Sequence, residues 1–478
     1  MLPPENTENS AQKWWVLVSI GLGTFMSALD GSVVNTILPV LQTHFGSTIA
    51  TIEWVVTVYL LVVSSLLLTV GRLGDMNGNK RVYALGFVIF LLGSALCGLA
   101  GSALGLILAR ALQAIGAAML FANSPAILTK VFPARQRGQA LGLQATMTYL
   151  GLTVGPSLGG WLTEQFSWRA VFYINIPVGL LALALSLRYI PSDRRTDGME
   201  RFDLAGAALF GTGLVALLLG LNQGAAWGWT SLPTLGLLAA AVGLLTGFIA
   251  WERQQQAPML DLSLFHNRTF TTAVSSALLS YMCLYAVIFL LPYYLIQGRN
   301  LSPAQTGLIL TAQPIVMALV APISGGLSDK IGSRLLTTLG MLIVSGGMVF
   351  LSFSGASTAT GQILAGLGIV GLGMALFASP NNSALMGSAP AHRRGIAAGM
   401  LATARNVGMV LGIGLAGAIL TSIYQPTGSD TLFHAVQAGL LAGAGLALVA
   451  ALLAALRDKA VQPAAGAAAL APDRPRAE

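Results

Sequence analysis

The sequence predicts an all-α integral membrane protein of fourteen transmembrane helices, arranged as two six-helix bundles with two extra helices between them. Three observations predict it. Of the 478 residues, 55% are hydrophobic and 9% charged, whereas a soluble domain carries roughly 25% charged residues. Apolar runs of about 20 residues, each long enough for a ~30 Å hydrocarbon layer, recur along the whole chain. Short motifs of the first part return in the second, the mark of an internal duplication.

The elements follow in order. A polar leader, residues 1–13, holds one Lys against two Glu and lacks the basic start of a secretory signal. The first apolar run is therefore read as an uncleaved helix. Six spans are expected near 14–39, 52–72, 81–101, 104–127, 138–161 and 170–190, forming an N-terminal bundle over 14–190. A linker, 191–269, contains two additional spans near 203–222 and 232–251. Six more, near 270–297, 304–327, 334–354, 358–380, 396–420 and 433–456, form a C-terminal bundle over 270–456. The Ala- and Pro-rich stretch 457–478 is expected to be a disordered tail.

Lys and Arg fall on alternate connections: Lys13; Arg72, Lys80 and Arg81; Lys130, Arg135 and Arg137; Lys330 and Arg334; Arg393 and Arg394. The positive-inside rule then places both termini in the cytoplasm. This sidedness accounts for the net charge of +8 and removes the case for nucleic-acid binding. The two cysteines lie in apolar runs, and the four histidines are scattered over connections, so neither a disulfide nor a metal site is indicated. No phosphate-binding loop is present, which argues against ATP as an energy source and against an enzyme.

Chemistry concentrates where polarity enters the spans. Asp30, in FMSALDGSVVN, is a carboxylate inside the first span. A charge there costs at least ~2.5–3.5 kcal/mol, so it faces a cavity with a role or serves a structural bond. Asn35, on nearly the same helix face, could supply such a bond. Proton and cationic substrate could also compete for this carboxylate. Arg110, with Gln113 one turn along, and Arg405 are the other internal charges, and each needs a partner or water. In the loop GRLGDMNGNKR, Gly71, Gly74 and Gly78 permit a tight turn, while Asp75 can pair with a cation and Lys80 and Arg81 are basic. The loop is echoed by GGLSDKIGSR at 325–334. Gly151, Gly155 and Gly159 recur on one helix face, beside Pro156 and Gly160, and allow another helix to pack closely. Tyr281, Tyr285, Phe289 and Tyr293 form an aromatic stripe, either plain packing or a wall for a lipophilic or cationic compound. The prolines in NSP (123–125) and SPNN (379–382) suggest interrupted helix ends.

These strings, in order, resemble the major facilitator superfamily, and within it the fourteen-helix drug:proton antiporters. LDGSVVNTILP (29–39), GRLGDMNGNKR (71–81), LILARALQAIGAA (106–118), GLTVGPSLGG (151–160) and WRAVFYINIPVG (168–179) carry the likeness over nearly the whole chain. The resemblance implies alternating access driven by the proton gradient, with no other cofactor. It implies that Asp30 and Arg110 couple proton to substrate, that the 71–81 loop is a gating latch, and that 151–160 is a hinge and seal. Met76 and Asn79 depart from the family's basic positions, which suggests a weaker latch. The implied activity is multidrug efflux of amphipathic, cationic drugs or biocides across the cytoplasmic (inner) membrane. The lipid bilayer, protons and small substrates are its partners, with or without a periplasmic adaptor and outer-membrane channel. Export of an anionic or zwitterionic metabolite, peptide or lipid is the alternative, with Arg110 and Arg405 holding the negative group. A non-transporting membrane sensor or scaffold is a further one.

Overall fold

The computed structural model describes residues 7–133, 136–192, 203–228, 230–254, 262–390, 394–424 and 429–457. The first six residues of the leader and the tail from 458 lie outside them. The described chain is helical, and every interval expected to span is occupied by a helix or a helix pair. The first set is α1 (Thr7–Phe45), α2 (Ile49–Asn77), α3 (Asn79–Leu99), α4 (Ala103–Val131), α5 (Arg137–Gln165), α6 (Ala170–Tyr173) and α7 (Asn175–Tyr189). Next come α8 (Leu204–Trp227) and α9 (Leu232–Glu252). The last set is α10 (Arg268–Pro292), α11 (Pro303–Leu310), α12 (Ala312–Ile331), α13 (Ser333–Ser352), α14 (Thr360–Ser388), α15 (Arg394–Ile423) and α16 (Ser429–Ala455). Among the described residues, twelve helical segments are long and apolar enough to cross a membrane, with α6–α7 and α11–α12 each acting as one. The helices α5 and α8 are not among the twelve, α8 having only a shorter apolar stretch at Ala205–Leu221.

Local chemistry starts and stops these helices. Hydroxyl or amide side chains cap the first turns: Thr48 on α2, Ser102 on α4, Asn267 on α10, and Ser302 in a reciprocal box with Gln305 on α11. Each accepts a backbone N–H that the helix itself leaves unpaired. Sharp reversals between α2 and α3 and between α12 and α13 turn on Gly78 (φ 96°) and Gly332 (φ 83°). A side chain would be strained at either, so the two motif copies share a backbone requirement as well as letters. The prolines do not end helices as expected. Both α4 and α14 continue through Pro125 and Pro380. In α4, Asn123 and Ser124 donate back to the Met119 and Leu120 carbonyls, beside the turn where Pro125 withholds a donor.

The packing of the two sets repeats. In the first, α1 lies on α5 and α7, and α4 lies on α2 and α3. In the last, α10 lies on α15 and α16, and α14 lies on α12 and α13. The sets meet along two seams, α2 against α15 and α5 against α11, with α1 and α10 facing each other between them. The extra helix α8 covers the first seam by packing on both α2 and α15, and α9 lies on α8. One end of the molecule gathers the starts of α1 and α10 with the last turns of α7 and α16. There Gln12 donates to the Tyr189 carbonyl and Lys80 to that of Leu187. We term this the termini-bearing end.

Candidate functional site

The carboxylate of Asp30 is completely buried. Its Oδ2 accepts a charge-assisted hydrogen bond from Arg110 Nη1 at 2.6 Å. Its Oδ1 accepts two more, from Gln113 Nε2 at 3.0 Å and Asn175 Nδ2 at 2.9 Å. Arg110 also donates from Nη1 to Gln113 Oε1 (2.7 Å) and from Nε to the Val55 carbonyl (3.1 Å). Its guanidinium lies 4.2 Å from the centre of the Tyr59 ring. Asn175 donates further to Ser94 Oγ, which donates to the Phe172 carbonyl. Side chains from α1, α4 and α7 thus meet directly, with α2 and α3 supporting them. Two polar atoms at this centre, Tyr59 OH and Asn175 Oδ1, are buried with no hydrogen-bond partner among the described residues.

This arrangement brings together the three strongest sequence candidates, Asp30, Arg110 and Gln113. It adds Asn175, Ser94 and Tyr59, which sequence reasoning did not single out. The signal for Asn175 was present, as the polar letter within WRAVFYINIPVG. Asn35 does not serve Asp30: its Nδ2 donates to the Gly31 carbonyl of its own helix, one turn back. The Asp30 carboxylate is not an open cation site either, because Arg110 already occupies it. Next to Asp30, a Cβ added at Gly31 would meet open space.

The aromatic stripe lies on α10 of the other set of helices, which packs against α1. Arg405 lies 4.7 Å from the Tyr281 ring centre. Tyr281 is half-buried, while Tyr285 and Phe289 are buried. Glu53, near the start of α2 as its sequence position indicates, is also buried. It is 5% exposed, and its Oε2 lies where a Cβ on Gly417 of α15 would fall.

Gly151, Gly155 and Gly159 all face α1, where added Cβ atoms would strike the Phe25 carbonyl, Ser32 Oγ and the Val33 side chain. Gly160 faces the other set. A Cβ there would fall 2.1 Å from the Pro303 carbonyl oxygen, and one on Gly307 would fall 2.0 Å from that of Pro156. Three hydrogen bonds cross the same region: Ser157 with Thr311, Gln297 with Gln42, and Ala304 N–H with Glu164. All lie towards the end opposite the termini-bearing one.

At the termini-bearing end, Gly74 packs so closely on Asn123 that a Cβ would overlap its Oδ1. Asn79 donates from Nδ2 to Asn123 Oδ1 at 2.9 Å and accepts from Lys130 Nζ. Asn79, one of the two departures from the family's basic positions, joins the loop to α4. Gly71 is half-buried beside Ala122, Arg81 is exposed and Lys80 reaches α7.

Comparison with known proteins agrees with this architecture. The sequence profile of the Major Facilitator Superfamily matches residues 20–265 and 273–476. The chain is 38% identical to the riboflavin transporter RibZ of Clostridioides difficile over 84% of this chain and 87% of that one. It is 34% identical to the multidrug resistance protein Stp of Mycobacterium tuberculosis, over 88% and 78% of the two chains. It is 30% identical to the tetracenomycin C resistance and export protein of Streptomyces glaucescens, over 86% and 76%. Among solved structures, a peptide transporter, POT, shares the fold with a TM-score of 0.68 at 17% identity, over 92% and 93% of the two chains. These relatives are transporters and not enzymes. The chain belongs to the Major Facilitator Superfamily, as a multi-pass membrane transporter with relatives in multidrug resistance.

Proposed function

We propose that the protein is a proton-coupled antiporter that exports amphipathic aromatic compounds across the cytoplasmic membrane. The observation that carries this reading is the buried Asp30–Arg110 pair, held by Gln113 and Asn175. Protonating Asp30 removes the anion that Arg110 pairs with, so the guanidinium must find another acceptor. Two arrangements of one small centre are what a coupled cycle requires. The chain then spans the membrane fourteen times, as two six-helix halves and an inserted pair, with both termini cytoplasmic. The cross-set bonds lie on the outer side in that orientation, so the structure corresponds to a state closed to the outside.

The pair is neutral overall, which alters the expected substrate. A cationic drug finds no uncovered negative charge at Asp30, and the aromatic stripe of Tyr281 and Tyr285 recognises planar surface regardless of charge. Both cationic and neutral aromatic compounds therefore fit. This favours a second reading, transport of a neutral polycyclic molecule of the flavin kind, in keeping with the name of the Clostridioides difficile relative. Proteoliposomes with an imposed pH gradient separate the possibilities. Wild-type protein should move fluorescent cationic and neutral aromatic dyes against the gradient of protons. Asp30→Asn should cut that transport roughly tenfold or more while leaving dye binding measurable. Unchanged gradient-driven transport in Asp30→Asn would overturn the coupling assignment. Movement of riboflavin alone, with no dye transported, would favour the second reading.

A further inference from the structure

Asn381 of the SPNN segment, which the transport reading leaves unused, meets a buried cation at the termini-bearing end. Arg457 lies two residues beyond the end of α16 and is 1% exposed. Its Nη2 donates to Asn381 Oδ1 at 2.6 Å. Asn381 is itself fully buried in α14, and its Nδ2 donates to the Ala273 carbonyl of α10 at 3.1 Å. That second bond fixes the amide so that its oxygen faces the guanidinium. Arg457 Nε and Nη1 are buried and have no hydrogen-bond partner among the described residues. Burial pushes the Arg457 guanidinium down to about 10. It is still cationic at neutral pH. A buried guanidinium with idle donors is costly unless an anion meets it.

The other set of helices handles its basic residue differently. There Lys130 is met by Asn79, which is held by Asn123 of α4, the helix corresponding to α14. Asn381 is a neutral acceptor and offers Arg457 no charge. Position indicates what does. Leu452 and Leu456, on the last turn before Arg457, are 65% and 53% exposed, so that turn borders the lipid. The end of α16 that carries Arg457 therefore lies at the apolar rim of the termini-bearing end, with the buried guanidinium just behind it.

We propose that Arg457 and Asn381 form a binding site for a phosphate group, the headgroup of an anionic phospholipid packed against α16. A phosphate has several acceptor oxygens and can satisfy more than one of the idle donors. Free inorganic phosphate offers the same chemistry, so the test has an arm for each source. Full-length protein is purified in a mild detergent and measured by native mass spectrometry with phosphatidylglycerol, phosphatidylcholine or inorganic phosphate. One tightly held phosphatidylglycerol should remain on wild-type protein and be lost at least tenfold more readily from Arg457→Gln. Asn381→Ala, which keeps the cation and removes its orienting partner, should show a smaller loss. Displacement of the lipid by millimolar phosphate, with binding of phosphate alone, would support the same site with the free ion as occupant. Equal retention of phosphatidylglycerol by wild type and both variants, each monodisperse, would overturn the site. If Arg457→Gln does not yield folded protein, Arg457→Lys with the same lipid series decides. It keeps one charge and loses the planar donor array, so unchanged retention there and in Asn381→Ala would also overturn it.

Discussion

Asp30 and Arg110 are each unsuited to the position the other makes possible. A buried carboxylate or a buried guanidinium alone would carry an uncompensated charge, whereas together they leave a neutral centre in which Gln113 and Asn175 also hydrogen-bond the carboxylate. Removing one partner of such a pair typically costs about 3–5 kcal/mol, and removing both costs far less. Arg110→Met should therefore destabilise the protein by about that amount, and the Asp30→Asn, Arg110→Met double variant should recover part of it. Chemical denaturation in detergent reads both. A strictly additive double variant would show that the bond in the structure carries no coupling. The sequence made Asp30 and Arg110 legible because each is charged within an apolar run. Asn175 and Tyr59 were not legible, because neutral polar residues are common in such runs and their partners lie on distant helices.

Among the elements, helix existence was legible throughout, since apolar length alone decides it. Faces were partly legible. The four-residue spacing of Gly151, Gly155 and Gly159 marked a close-packed side of α5, and that side meets α1. That Gly160 meets α11 was not readable, because spacing along one helix does not say which neighbour lies one residue further round. The proline-containing turns were misread for a related reason, as side-chain bonds from Asn123 and Ser124 hold the neighbouring carbonyls. The contacts of Gly160 and Gly307 are with backbone oxygens, which cannot swing aside as a side chain can. Gly160→Ala and Gly307→Ala should therefore force α5 and α11 apart and favour the state open at that end. Gly31→Ala, which meets only open space, serves as the control. Spin-label distances between the outer ends of α5 and α11 should lengthen in the first two variants and not in the third. Unaltered distances in all three would show that the seam yields without opening.

For the whole molecule, alternation of basic connections predicts that both ends of the chain face the cytoplasm. Reporter fusions at residues 12 and 457 test this directly: both should be active on the cytoplasmic side, and a split result would require an odd number of spans. The duplication was legible in repeated loops, and the repeated packing of α1, α5 and α7 against that of α10, α15 and α16 gives it physical form. The seams between the sets were not, since they are made by residues with no partner nearby in sequence. The ion pair has one further consequence at this scale. With Asp30 ionised, the centre holds no net charge, and the membrane voltage exerts no net pull on it. With Asp30 protonated, Arg110 leaves one positive charge, worth about 2.3 kcal/mol for each 100 mV it crosses. An interior-negative voltage should thus accelerate the inward passage of the protonated centre and leave the outward return, ionised and loaded with a neutral compound, indifferent to it. Current recorded from reconstituted membranes should rise with voltage in wild type and lose that dependence in Asp30→Asn.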